Sequence, residues 1–501
     1  MKKLIVLLML LYCSFTAAFI GNPCCIPQAR DPIICYYDEL EFRSESFMYT
    51  RPVIEDLARQ LAFWHDLIYN KDACRPALQG TAFVQCSVSN AKVARYFLID
   101  KKNELLVTGD AYPLAPVRDV RAEWLGINND SFYGTLTLNP HQKQFGFELE
   151  AYFPFEGVCK ATTMLDNWWL AVRMPVVYVE NDIRLRQDRV QNIGTGAAFD
   201  IISAFNQSAW HAARMVGKQH RVGLAEINMR VGSTYLDSDY FEFGYYSGVS
   251  FPTTGPQNAC NIFHPYAGRN GHFCIDSGIN MQIPLNSCTQ VYAIGWFIDL
   301  EVRWFLRERQ CRTFDLRHKQ WSRYLLFNQL DGFQIRNIPG VNILTREVWV
   351  DPYGIVDFST GWRYIDDRIE GEVGYSLWGH GNEHLRLIHP FPDNYGIAGP
   401  VDMAHPTLVT TASQSTIAQQ AAFDADSNGN PVLINISAKD LDLWSAASRS
   451  AIVHKIHAAF AVKRQKTKYD AFIGLGGSWE FPQRNSALEV WELWAKIGAA
   501  F

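Results

Sequence analysis

Between Tyr292 and Leu306 every second residue is apolar: Tyr292, Ile294, Trp296, Ile298, Leu300, Val302, Trp304 and Leu306. The positions between them carry Gly295, Asp299, Glu301 and Arg303. A period of two is a strand with one oily and one polar face. The same alternation recurs along the chain. Phe145, Phe147, Leu149, Ala151 and Phe153 oppose Glu148 and Glu150; Ile227, Met229, Val231 and Tyr235 oppose Glu226, Asn228 and Arg230. Phe241, Phe243, Tyr245, Val249 and Phe251 oppose Glu242 and Ser250, and Ile275, Ile279, Met281 and Ile283 oppose Asp276, Asn280 and Gln282. Val356, Phe358, Trp362 and Tyr364 oppose Asp357 and Arg363, and Ile369, Val373, Tyr375 and Leu377 oppose Glu370 and Glu372. Several runs exceed the ~9–11 tilted residues that cross a bilayer. The apolar face of the 292–306 run begins and ends in aromatic residues, as a lipid-facing strand does at the two membrane interfaces. Nothing between the strands reads as the covering helices of an α/β protein. The pattern predicts an all-β fold: a transmembrane antiparallel up-and-down β-barrel of about 16 strands, within an even-numbered range of about 14–18.

Connection lengths point the same way. If the last strand ends in the periplasm, the turns on that side fall at 465–468, 365–367, 286–289, 237–239 and 128–130, all short. The opposite connections include 187–222, 252–270 and 381–447, all long. Short turns at one end and long loops at the other is the outer-membrane arrangement. The link 154–167 is a longer exception. The 187–222 connection contains a helix candidate, 197–215, placed either in the lumen as a constriction or on the outer surface.

The chain ends on Trp491, Leu493, Ala495, Ile497, Ala499 and Phe501, an unbroken apolar parity opposed by Glu492, Trp494, Lys496 and Gly498. This resembles the C-terminal strand of bacterial outer-membrane proteins, although Ala499 stands where that class often has a second aromatic. The resemblance implies outer-membrane lipid and the barrel-assembly machinery as partners, with Trp491, Leu493, Ile497 and Phe501 as the assembly signal.

The start of the chain looks different. Lys2 and Lys3 precede an apolar run from Leu4 to Tyr12 and then Thr16, Ala17 and Ala18, which predicts a cleaved signal peptide over 1–18. No later window of ~18 apolar residues would make a transmembrane helix. Residues 19–102 form a Cys-rich segment, with Cys24, Cys25, Cys35, Cys74 and Cys86 and a helix candidate over 52–69 whose stripe is Leu57, Leu61, Trp64 and Ile68. This segment is expected to be a cap or a plug, its weak strands at 81–88 and 92–99 could instead form a first hairpin, and 103–501 is expected to be the barrel. The ten cysteines after Cys13 favour disulfides in an exported chain. Aromatic residues make up 14% and charged residues 19%, with a net charge of −5. That composition is too polar for a helical membrane protein, and no basic block suggests nucleic acid.

The polar parity supplies the candidate pore lining: Glu148, Glu150, Arg173, Glu226, Arg230, Glu242, Asp299, Glu301, Arg303, Asp357, Arg363, Glu370, Glu372 and Lys496. A barrel of this size leaves an aqueous channel unless something plugs it. The first functional reading is therefore a porin-like channel for passive diffusion of small polar solutes, needing no cofactor. The second is a surface-exposed structural or adhesin-type barrel closed by its N-terminal segment; a third is a soluble secreted β-rich enzyme or lectin. Oligomeric state is left open. Asp424, Asp426, Asn428 and Asn430 alternate around Gly429 as in the first half of a calcium loop, a pattern that a plain polar turn shares. His380, Glu383 and His384 have the spacing of an inverted zinc-protease motif, but the surrounding glycines argue against the helix that motif needs. No nucleophile elbow, phosphate loop or dinucleotide fingerprint appears, so no enzyme activity is expected.

Overall fold

The structure, a computed structural model, describes residues 45, 51–63, 75–88, 91–155, 167–237, 241–256, 258–286, 292–332, 334–352, 354–404, 406–466, 469–484 and 486–501. The expected signal peptide, and Cys24, Cys25, Cys35, Cys74, Cys159 and Cys288, lie outside the described residues.

Twelve antiparallel strands close into a ring: β1 (Ala77–Val88), β2 (His141–Pro154), β3 (Trp168–Asp182), β4 (Glu226–Asp237), β5 (Phe241–Pro252), β6 (Cys274–Pro284), β7 (Tyr292–Phe305), β8 (Ile355–Asp366), β9 (Ile369–His380), β10 (Ala451–Lys466), β11 (Tyr469–Pro482) and β12 (Glu489–Ala500). Each strand pairs with its neighbours in sequence. β1 closes the ring by pairing with β2 on one side and β12 on the other, Ala77 opposite Ala500 and Val88 opposite Glu489. One further strand, Gln219–Leu224, pairs with β3 outside the ring. No sheet edge is left open around the cylinder, as a strand structure in hydrocarbon requires.

Two expectations need correction. The ring has twelve strands and not about 16. The alternating runs Glu104–Thr108 and Tyr133–Thr137 belong to a small sheet with Val120–Arg121 and Arg186–Gln191 beyond the barrel. A half-buried strand alternates whether its apolar face meets lipid or a protein core, so periodicity alone overcounts membrane strands. For the same reason 128–130 is a turn of that outer sheet and not a short barrel turn. Second, the boundary at 102 is misplaced. Residues 77–88 are β1, which contains the first strand of the alternative hairpin, whereas 91–97 forms a helix in place of its second strand.

Outward side chains form an apolar belt. Leu475 is 65% exposed, Ile497 62% and Ile473 61%, and the belt continues through Phe460, Ile456, Val373, Trp362 and Phe147. A soluble monomer rarely exposes a contiguous apolar patch above a few hundred Å². Here the patch encircles the molecule, with exposed apolar side chains on every strand of the ring.

Inside the ring, aromatic side chains lie over glycines of the neighbouring strand. Trp169 is opposite Gly232, Tyr246 opposite Gly278, Phe472 opposite Gly498 and Trp494 opposite Gly476. A Cβ added at Gly232 or Gly476 would stand 2.2 Å from the facing indole. The missing side chain is what lets each ring lie flat against the wall.

At one end of the ring the connections are short, between β4 and β5, β6 and β7, β8 and β9, and β10 and β11. At the other end 89–140, 183–225, 253–273, 306–354 and 381–450 fold together as an outer domain. Its core draws on all of these connections, including Phe97, Trp124, Phe205, Phe263, Trp321 and Ile397. Trp210 stacks on Tyr324 at 5.1 Å, and Phe205 meets Tyr324 edge-on at the same distance. Of the helix expected over 197–215 only Ile201–Phe205 is helical, capped by Asp200. It packs Ile201, Ala204 and Phe205 into this outer core and does not constrict the lumen. Among the described residues Cys86, Cys260, Cys274 and Cys311 are free thiols, and the other six cysteines of the expected disulfides lie outside those residues. Cys86 points out of β1 while Cys274 is buried inside β6, so these two have no common face.

Candidate functional site

The lumen is occupied by the chain itself. Residues 51–63 are all buried within the ring, with a single turn of helix, α1 (Leu57–Leu61), capped by the Asp56 carboxylate on the Arg59 N–H at 3.0 Å. Val53, Ile54, Ala62 and Phe63 join the inward aromatics Phe83, Phe472 and Trp494 in one apolar cluster. Of the helix expected over 52–69, only Leu57–Leu61 is helical among the described residues, and Trp64 and Ile68 of its stripe lie outside them.

The charged residues of the segment are matched to the wall. Arg51 pairs with Glu480 and Arg59 with Glu492, both pairs buried. Asp56 sits 2.7 Å from the Lys455 ammonium, which also reaches Glu480 at 3.0 Å. The Glu55 carboxylate accepts from the Trp378 indole at 3.1 Å, and the Leu57 N–H donates to Asp357 at 3.1 Å. Lys496 donates to the carbonyls of Gln60 and Ala62 at 2.9 and 2.8 Å. The Val53 N–H donates to Gln144 at 3.2 Å. A buried charge is tolerable only when it is paired and hydrogen-bonded, and here plug and wall supply each other's partners. Asp56, Glu480 and Glu492 come within 4.8 Å of one another, the spacing of a cation site, but Arg51, Arg59 and Lys455 already provide the countercharge.

The remaining wall charges pair among themselves. Arg173 lies 3.1 Å from Glu226 and 3.6 Å from Glu148. Arg230 is 2.7 Å from Glu301, which also pairs with Arg303 and accepts from the Tyr246 hydroxyl at 2.5 Å. Arg363 meets Glu372 at 3.1 Å and Glu370 at 3.4 Å; Asn280 donates to Asp299 and Gln79 to Glu150. Arg269, from the outer domain, bonds Glu226 at 2.8 Å and approaches Glu55 at 3.6 Å, tying outer domain, wall and plug together.

Thirteen of the fourteen candidate lining residues are thus buried in the ring, and Glu242 is half-buried opposite Gln282 toward the short-turn end. They face a peptide and one another. Periodicity did not single out Lys455, Glu480, Arg51, Glu55, Asp56 or Arg59. The wall pair sits at inward positions of β10 and β11, opposite apolar Ile456 and Trp479, so the alternation could have found it. The plug charges carry no such mark in sequence.

No family model and no curated protein matches this chain. Among solved structures it is similar to an outer membrane channel from Pseudomonas putida F1, with 9% identity over 85% of this chain and 96% of that one and a TM-score of 0.36. It is also similar to the transport unit of the autotransporter AIDA-I from Escherichia coli (7% identity, 90% and 99% covered, TM-score 0.30). A Pseudomonas aeruginosa FadL homologue matches with 8% identity, 85% and 90% coverage and a TM-score of 0.27. These neighbours are bacterial outer-membrane β-barrels, the class that the C-terminal strand resembles. At such scores none of them bears on what this chain does, and the closed ring and its belt stand on this chain's own geometry.

The other sequence candidates are placed as follows. Leu493, Ile497 and Phe501 are exposed on the lipid side of β12 and Trp491 is half-buried there. Asp424 accepts hydrogen bonds from Thr411 and Ser413, while Asp426 accepts from the backbone of Asn428 and Asn430 at 2.8 and 2.9 Å. The four oxygen-bearing residues therefore make a tight turn about Gly429, whose φ is +81°. His380 ends β9 and His384 starts a short outer strand, while Glu383 accepts from the Ser448 N–H and pairs with Arg312.

Proposed function

We propose that the protein is a bacterial outer-membrane β-barrel, exported through a cleaved signal peptide, that anchors and displays a folded outer domain while its own N-terminal segment closes the lumen. The observation that carries this reading is the passage of residues 51–63 through the ring with their charges paired to the wall. The encircling apolar belt supports placement in lipid. Short turns at one end support a periplasmic side, and the common core of the long connections supports a displayed domain at the other.

A channel for small polar solutes is the second reading, and one observation favours it. Many plug contacts are ion pairs and hydrogen bonds, so the lumen would hydrate readily if the segment left. Acidic wall residues outnumber basic ones, and an opened lumen would favour cations. Planar-bilayer recording separates the two readings. Full-length protein should be electrically silent. The double variant Arg51→Ala, Arg59→Ala should show brief cation-selective openings while keeping the heat-modifiable gel mobility of a folded barrel. Steady conductance from the full-length protein would overturn the anchor reading in favour of a porin.

A further inference from the structure

The direction in which the chain threads the ring can be read from its contacts. Glu45 is buried 2.8 Å from the guanidinium of Arg449, at the base of the outer domain just before β10 begins. Arg51 pairs with Glu480, two residues from the end of β11 at that same end. Lower down, Arg59 pairs with Glu492 and then Lys496 binds the carbonyls of Gln60 and Ala62, following β12 from the long-loop end toward its last residue. Phe63 completes the descent against Phe472, 5.8 Å between ring centroids, and over Gly474. The chain then starts β1 at the short-turn end, Ala77 beside Ala500, and climbs back to Val88 beside Glu489.

Glu45 therefore meets the barrel at the long-loop end, although β1 starts at the other. A chain whose first strand begins on the short-turn side can keep its N-terminus on that side with no lumen crossing. This chain instead crosses the barrel as the segment 51–63, which belongs to no strand of the sheet, before β1. The five residues between Glu45 and Arg51 extend at most ~20 Å, and both ends of that stretch are held at the long-loop end, so no reversal through the ring fits there.

We infer that the barrel carries its own N-terminal segment through its lumen and displays the residues preceding Glu45 on the cell surface, with 51–63 as the stretch retained inside. This rests on the proposed orientation, in which the long loops face outward. Export delivers a mature N-terminus to the periplasm, so the segment must pass the membrane during assembly, most simply by the strands closing around it. The ion pairs from Arg51, Asp56 and Arg59 then hold the threaded state.

The test uses three full-length versions of the protein in cells, each with one epitope tag: between Asn22 and Pro23, in the exposed turn 426–430, or in the turn 366–369. Heat-modifiable mobility verifies that each is folded. The inference expects antibody staining of intact cells for the first two tags, unchanged by permeabilisation, and staining of the third only after permeabilisation. If the 426–430 tag stains on intact cells but the N-terminal tag needs permeabilisation, the threading is wrong while the orientation stands. Staining of the 366–369 tag alone on intact cells would overturn the orientation, and the inference with it. Loss of the N-terminal tag from the mature chain, seen on a whole-cell blot, would overturn display of the residues that carry it.

Discussion

At the level of single residues, the side of the wall decides what a substitution does. Ile298 faces outward on β7, and its neighbour Asp299 is buried inside, hydrogen-bonded by Asn280 at 2.8 Å. Ile298→Arg should lower barrel stability by ~2–4 kcal/mol, because it sets a cation in hydrocarbon near the midplane. Asp299→Asn keeps the size and the hydrogen bond and should leave the fold intact. Urea titration of refolded protein in detergent compares them, and equal losses would mean the faces are misassigned. The inward glycines make a sharper case. Gly476→Val would drive a branched side chain into the Trp494 indole and should cost at least the ~1–3 kcal/mol typical of overpacking. Ile473→Val on the lipid face should cost little by the same titration. The two faces were legible from alternation. The glycine and ring pairs were not, because they link residues of different strands and need the register.

Among the elements, the plug is one that the sequence left open between a cap and a plug. Leu57 and Leu61 show a helical stripe, but Arg51, Glu55, Asp56 and Arg59 look like an ordinary solvated face until the wall supplies Glu480, Trp378, Lys455 and Glu492. Arg59→Ala strands Glu492 in the ring and should destabilise the closed state by ~3–5 kcal/mol. Restoring a matched pair with Arg59→Met and Glu492→Met should recover most of that loss, measured as resistance of the plug to protease in detergent micelles. The outer domain has its own acid sensitivity. Asp351 takes hydrogen bonds from Arg307 and Arg386, both 2.5 Å, which join two of the long connections. Partial burial pushes its carboxyl up, yet those two arginines hold it below the usual carboxylate range. A group depressed in the folded state stabilises above its unfolded pKa of about 3.9, and that contribution disappears as pH falls through the lower folded value. Near-ultraviolet circular dichroism should therefore show the outer domain loosening in that acid window, with a smaller step in Asp351→Asn. The last strand adds a third element. Phe501 is exposed on the lipid side, and its backbone N–H donates to the Pro76 carbonyl at 3.0 Å. Deleting it should cut insertion into the membrane far more than it lowers the stability of refolded protein. Normal membrane levels of the truncated chain would remove β12 from the role of assembly signal.

For the whole molecule, alternation revealed the barrel because lipid imposes one strict period on every strand that touches it. It overcounted because the outer domain imposes the same period on strands that never enter the membrane. Folding of the long connections into one core depends on contacts between residues hundreds of positions apart, such as Trp124 with Thr416, whose spacing carries no local signal. The same holds for the plug, and its position in the ring is the claim on which the closed-anchor reading depends. Replacing Phe63 with the photo-crosslinker p-benzoylphenylalanine keeps an aromatic ring at the place where it meets Phe472 and Gly474. Irradiation of intact membranes followed by peptide mass spectrometry should give intramolecular cross-links to the β11 peptide that contains those two residues. Cross-links confined to lipid, to other proteins or to the outer domain would contradict a plugged lumen.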